Sequence, residues 1–153
     1  MFKYTKYLTN NIFIGATVIG FILGGHWMWL GFVFAIVGGV GGDFLLGDHG
    51  EAPEYTYPQI LNLIMYSYFP VIACAAVVFI WTMVPNDLFG IGAAVASISG
   101  YDALAARVGN HFFDLLGGAL GLGLMFAITN VIMAHELIHR TWNPISMFFG
   151  RWF

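Results

Sequence analysis

Residues 12–40 form a run of 29 without a single Asp, Glu, Lys or Arg, and nothing else in the chain restricts its fold so tightly. As one straight helix the run would be roughly 43 Å long at about 1.5 Å per residue. The hydrocarbon core of a bilayer is only about 30 Å thick. Two arrangements follow: one long tilted helix, or two spans joined by a tight turn. Gly24-Gly25-His26-Trp27 stands mid-run and offers a turn, a polar group and an interfacial aromatic. Spans over residues 7–24 and 27–46 are therefore expected.

Composition argues the same way. Hydrophobic residues make up 59% of the 153 and charged residues 8%, against about 25% charged in an ordinary globular domain. So few charges do not cover a water-facing surface. A net charge of -3 with no basic patch offers no grip on nucleic acid. Cys74 is the single cysteine, which rules out a disulfide framework and a Cys-rich metal site. It lies in the apolar run 71–80 and is expected to be a small buried or lipid-facing residue. Lys3 and Lys6 precede an apolar stretch that continues past position 40, so a retained anchor is expected rather than a cleaved signal.

Residues 59–84 form the next apolar block, with Pro53 and Pro58 before it and Pro85-Asn86-Asp87 after it. Leu88–Ser99 is apolar but short, better suited to an interfacial or re-entrant piece. Residues 112–134 make the last span, and Asn143-Pro144 ends the helix that carries it. The expected fold is an all-α polytopic membrane protein, a single domain over residues 1–153 with about four transmembrane helices. Four spans place Lys3, Lys6, Arg140 and Arg151 on one side and only Arg107 on the other. Three spans would divide the two pairs. The positive-inside rule thus favours four, with both chain ends on the cytoplasmic face of the cell (inner) membrane. Gly117 and Gly121 form a Gly-x-x-x-Gly pair suited to close helix contact within the chain.

The chemistry is concentrated in Asn130-Val131-Ile132-Met133-Ala134-His135-Glu136-Leu137-Ile138-His139-Arg140-Thr141. Residues four apart share one helix face, so the imidazoles of His135 and His139 can converge on one metal ion. Ionisable groups at a membrane helix are costly and point to function by default. His-Glu-x-x-His is the zinc metalloprotease signature, with Glu136 as general base. It is equally the opening of a histidine box that binds iron, and the motif alone does not choose.

The surroundings resemble the alkane hydroxylase and xylene monooxygenase branch of the membrane fatty acid desaturase superfamily. The residues that carry the resemblance are His135-Glu136-Leu137-Ile138-His139-Arg140, the preceding Asn130 and the following Asn143-Pro144-Ile145-Ser146. Asp43-Phe44-Leu45-Leu46-Gly47-Asp48 and Ala52-Pro53-Glu54 also look like that branch after its second span. A box ending in His-Arg rather than His-Lys leans toward the xylene monooxygenase type. The resemblance implies a non-haem di-iron centre facing the cytoplasm, hydroxylation of a C–H bond in a lipophilic substrate, and electrons from a rubredoxin or a ferredoxin-type reductase. It implies His135 and His139 as iron ligands. The later His-rich boxes of the family are not in this sequence, so the chain is expected to be an N-terminal fragment, inactive alone, whose two Fe ions are completed by histidines beyond residue 153. Desaturation within the same superfamily, an intramembrane zinc protease and a non-catalytic membrane scaffold are the alternatives.

Asp43 lies in the last turns of an apolar helix, where a carboxylate can accept the free N–H of a ligating histidine. Asp48, Glu51 and Glu54 nearby are expected in a solvated loop, and His49 has no partner at helical spacing to make it an iron ligand. Glu136 points about 100° away from the histidine face and would act in the oxygenase as a supporting or structural acid. His111 and Asp114 are expected to pair or to cap the last span, His26 to hydrogen-bond at an exposed turn, and Trp27, Trp29, Trp81 and Trp142 to form boundary belts.

Overall fold

The computed structural model describes residues 4, 6–41, 44 and 55–152, and these are all-helical, with no strand among them. After a 3-10 turn at Lys6–Leu8, helix α1 spans Thr9–Leu23. It stops where Gly24 takes φ +70°, its N–H bonding back to the Gly20 carbonyl at 3.1 Å. Gly25 follows at φ +54°. Two successive left-handed residues need glycine, which is why the chain reverses there. A 3-10 turn over Gly25–Trp29 then leads into α2, Leu30–Phe34, which continues as π-helix through Ala35–Val40.

Helix α3 runs Pro58–Met83, with proline at its start, where no N–H is needed. Two short helices follow, α4 (Ile91–Ser99) and α5 (Ala103–Val108). Gly100 at φ +73° ends α4, and the Asp102 carboxylate caps α5 by accepting from the Ala105 N–H at 3.0 Å. Helix α6 occupies Phe112–Ile138 and contains a π turn at Phe126–Asn130. Asp114 Oδ2 accepts from the His111 N–H at 2.9 Å, so the expected helix-start cap is present. Asn143 Oδ1 accepts from the N–H groups of Ile145 and Ser146 and opens α7, Pro144–Trp152.

The long elements run up, down, up and down. Asn11 meets Ser67, Tyr66 meets Ser146 and Arg140 meets Asn62, which gathers the start of α1, the start of α3 and the end of α6 at one end. Gly25 meets Asn110 and His26 meets Asp114 at the other. Between the ends Ile14, Phe21, Met28, Tyr68, Ile72, Ala75 and Trp81 are buried together. Gly117 and Gly121 pack α6 against the second arm of the hairpin. A Cβ on Gly117 would come 2.5 Å from the Trp29 ring, and one on Gly121 2.6 Å from the Phe32 nitrogen.

Helices α3 and α6 are long and apolar enough to cross a bilayer, by length and composition. Thr9–Leu23, Gly25–Gly39 and Leu88–Ser99 are shorter apolar helices. The far end carries a polar knot that the sequence reading missed. Trp81 is fully buried rather than part of a boundary belt. Its indole N–H donates to Asp87 Oδ1 at 2.8 Å, and the Arg107 guanidinium lies 4.8 Å above its ring. Arg107 also donates to the carbonyls of Trp81, Pro85 and Asn86. The Gly92 N–H, then the Trp81 and Ala93 N–H groups and the Arg107 charge, hold the Asp87 carboxyl below its ordinary value despite some desolvation.

Two outcomes follow. Gly121→Val forces a side chain against the α2 backbone and should lower stability by about 1–3 kcal/mol, measured by thermal unfolding in detergent; an unchanged midpoint would show that the helices separate freely. A carboxylate with a depressed folded pKa stabilises above its unfolded value and loses that contribution as pH falls through the folded one. The stability gap between the parent chain and Asp87→Asn should therefore be full at neutral pH and close in acid, below the ordinary carboxylate pKa.

Candidate metal centre

The last turn of α6 and the residue just past its end bring His135 and His139 together. Their Nε2 atoms are 3.1 Å apart and their ring centroids 4.4 Å, with both rings exposed. Two nitrogens bound at about 2.1 Å to one ion stand roughly 3–3.5 Å apart for cis or tetrahedral angles. The pair thus fits two positions on a single ion. It does not fit a complete centre: among the described residues no group of three or more His, Cys, Asp or Glu converges on a point. Neutral imidazole suits iron and zinc alike.

Glu136 turns away from the pair. Its Oε1 accepts from Arg140 Nη2 at 2.9 Å and from Nε at 3.3 Å. Arg140 Nη1 reaches across to Asn62 Oδ1 on α3. One guanidinium therefore ties the end of the box helix both to itself and to its neighbour. The Arg140 side chain keeps 22% of its exposure, so these charge-assisted bonds are partly shielded from water.

Beside the box lies an open cavity of 730 Å³, within the range of small-molecule sites. Leu61, Ile64, Met65, Val131 and Met133 supply its apolar wall. Tyr7, Asn10, His135, Glu136 and Arg140 edge it with polar groups. The sequence reading identified the histidines and Glu136 but not Asn62, Tyr7 or Asn10. Asn62 carried a signal, as a polar residue in an otherwise apolar span; its partner depends on how α3 and α6 register.

Other candidates lie elsewhere. Asp43 falls outside the described residues, as do Asp48, His49, Glu51 and Glu54. His26, His111 and Asp114 gather at the opposite end, where His26 Nδ1 is 3.2 Å from Asp114 Oδ1. His26 is exposed and hydrogen-bonded as expected, whereas Asp114 is buried. Trp27 and Trp142 are exposed, while Trp29 is half-buried over Gly117. Cys74 is exposed on α3. No family model, curated protein or solved structure matches the chain.

The Arg140–Asn62 bond should be measurable. A double-mutant cycle with Arg140→Ala and Asn62→Ala should give a coupling of about 1.5 kcal/mol, as for a hydrogen bond to a charged group. A coupling near zero would mean that the two helices meet without it.

Proposed function

We propose that this chain is part of a membrane di-iron monooxygenase that hydroxylates a lipophilic substrate, an alkane or alkyl-aromatic, at the cytoplasmic face of the cell membrane. The observation that carries the reading is the Nε2 pair of His135 and His139, at ligand spacing, on the edge of a largely apolar cavity. Non-haem iron, when bound, supplies dioxygen activation and C–H oxidation. Two imidazoles are too few for two irons, so the reading requires further ligands, with histidines beyond residue 153 as the natural source. A soluble rubredoxin or ferredoxin-type reductase would deliver the electrons.

The chain's own residues have separable tasks. His135 and His139 would hold the metal through their imidazole nitrogens. Leu61, Ile64, Met65, Val131 and Met133 receive an apolar substrate and keep water from its length. Arg140 neutralises Glu136 and fixes the end of α6 against α3. The same bond weakens the zinc-protease reading, because a general base must be free to take a proton from water.

Membrane insertion is supported by burial. Only 28% of the most apolar 18-residue window of α3, and 33% of that of α6, is buried within the chain. A core helix of a soluble domain would be mostly covered. Leu63 and Ile128 stand half or more exposed, suited to lipid contact. The up-down-up-down order supports four crossings, with α1 and the Gly25–Val40 arm as the first two, and the positive-inside rule would then put Arg140 and Arg151 on the cytoplasmic side.

In the full-length protein purified from membranes, His135→Ala should lose most of its iron and its hydroxylation of a test alkane or methylbenzene. Iron content equal to the parent's would overturn the ligand assignment. Impermeant labelling should reach Arg140→Cys from the cytoplasm only; labelling from outside would overturn the orientation.

A further inference from the structure

We propose that Glu136 is a specificity-determining residue. By cancelling the charge of Arg140 at the cavity edge, it suits the cavity to uncharged chains and disfavours the carboxylate of a fatty acid. The inference rests on the cavity being the substrate site. Arg140 is the one Lys or Arg among the described residues that line it, and Glu136 is the one acid. Tyr7 and Asn10 add polar side chains from α1, and His135 is committed to the metal in the proposed centre.

A cation at the mouth of an apolar cavity is what an amphiphilic anion needs. Its chain lies along the wall while a guanidinium takes the carboxylate in a bidentate pair. Leu61, Ile64, Met65, Val131 and Met133 supply such a wall. Arg140 does not complete the site. Its Nε and Nη2 both donate to Glu136 Oε1, at 3.3 and 2.9 Å, and its Nη1 donates to Asn62 Oδ1. All three guanidinium nitrogens are thus engaged. Glu136 Oε2 has no hydrogen-bond partner among the described residues, so an arriving carboxylate meets a negative oxygen beside the cation.

The pair does little for the fold by itself. Glu136 keeps 57% of its side-chain exposure, and an exposed ion pair four residues apart on a helix contributes only weakly to stability. Arg140 has a separate structural reason to be there, its bond to Asn62 on α3. That anchor brings a positive charge to the cavity edge. At 22% side-chain exposure the charge is only partly screened by water, so without Glu136 it would attract anionic lipids. Glu136 keeps the anchor and removes its attraction.

The test is equilibrium binding of radiolabelled dodecanoate and dodecanol to the full-length protein in lipid nanodiscs, each corrected for empty nanodiscs. Measurements are made above neutral pH, where the acid is ionised. Bilayer partitioning and the bound metal are common to parent and variant, so the acid-to-alcohol affinity ratio isolates the edge. Glu136→Gln keeps an oxygen for Arg140 but frees the charge, and should raise that ratio about ten-fold, the weight of one charge-assisted pair. The gain should shrink with added salt. Adding Arg140→Gln, which can still donate to Asn62, should return the ratio to the parent's. An unchanged ratio in Glu136→Gln would overturn the proposal, as would a gain that survives the loss of Arg140. Where the double variant fails to fold, a gain insensitive to salt overturns it equally. A parent that binds neither probe refutes the cavity reading and the proposal with it. Iron is assayed separately: a parent without iron refutes the oxygenase reading, while the affinity ratio still decides the role of Glu136.

Discussion

Close approach of α6 to the Gly25–Val40 arm is the contact on which the rest of the arrangement depends. It is made where side chains are absent, at Gly117 and Gly121, with Trp29 and the α2 backbone filling the space. If the chain is inserted in a bilayer as proposed, there is little hydrophobic drive to bring helices together, and packing at this range would supply the attraction. Once α6 is seated there, its two ends are fixed. One end meets the hairpin turn through His26 and Asp114, and the other is carried to the start of α3. The cavity occupies the space between α1, α3 and the end of α6, where no comparable glycine contact among the described residues closes the helices.

The two ends of the molecule treat polar groups in opposite ways. At the far end Asp87 accepts from three donors and Arg107 donates to three carbonyls while covering Trp81. Such a saturated network holds loops in place and leaves little capacity for a ligand. At the near end His135 and His139 are exposed, and the contacts of their rings are with each other. Hydrogen bonding is spent on the neighbours instead, with Arg140 engaging Glu136 and Asn62. That division is what the proposed ligand pair would require: a rigid support, and nitrogens still able to bind.

Much of this was legible in the sequence because it is written locally. Gly24-Gly25 marks a reversal, Pro58 a helix start and Asn143-Pro144 a cap, each acting within a few residues. The spacing of His135 and His139 fixes their shared face through helix geometry alone. The misses all depend on how helices register. Trp81 looked like a boundary aromatic, and only the arrival of Asp87 and Arg107 makes its burial possible. Asn62 gains meaning from Arg140, 78 residues away. The π turn escaped because α6 is apolar on nearly every side before the box, so no hydrophobic period exists there to show a change of phase.

That near-uniform apolarity leaves the first half of α6 to be placed by its small residues. Residues 112–125 are positioned by glycines, which commit α6 to one rotation about its axis. The end of the helix is held differently, by α7, whose Gly150 lies against Leu137 and Ile138, and by Arg140, which reaches Asn62 on α3. The spacing of the His135 and His139 rings comes from the motif itself, while these contacts hold the segment that carries them.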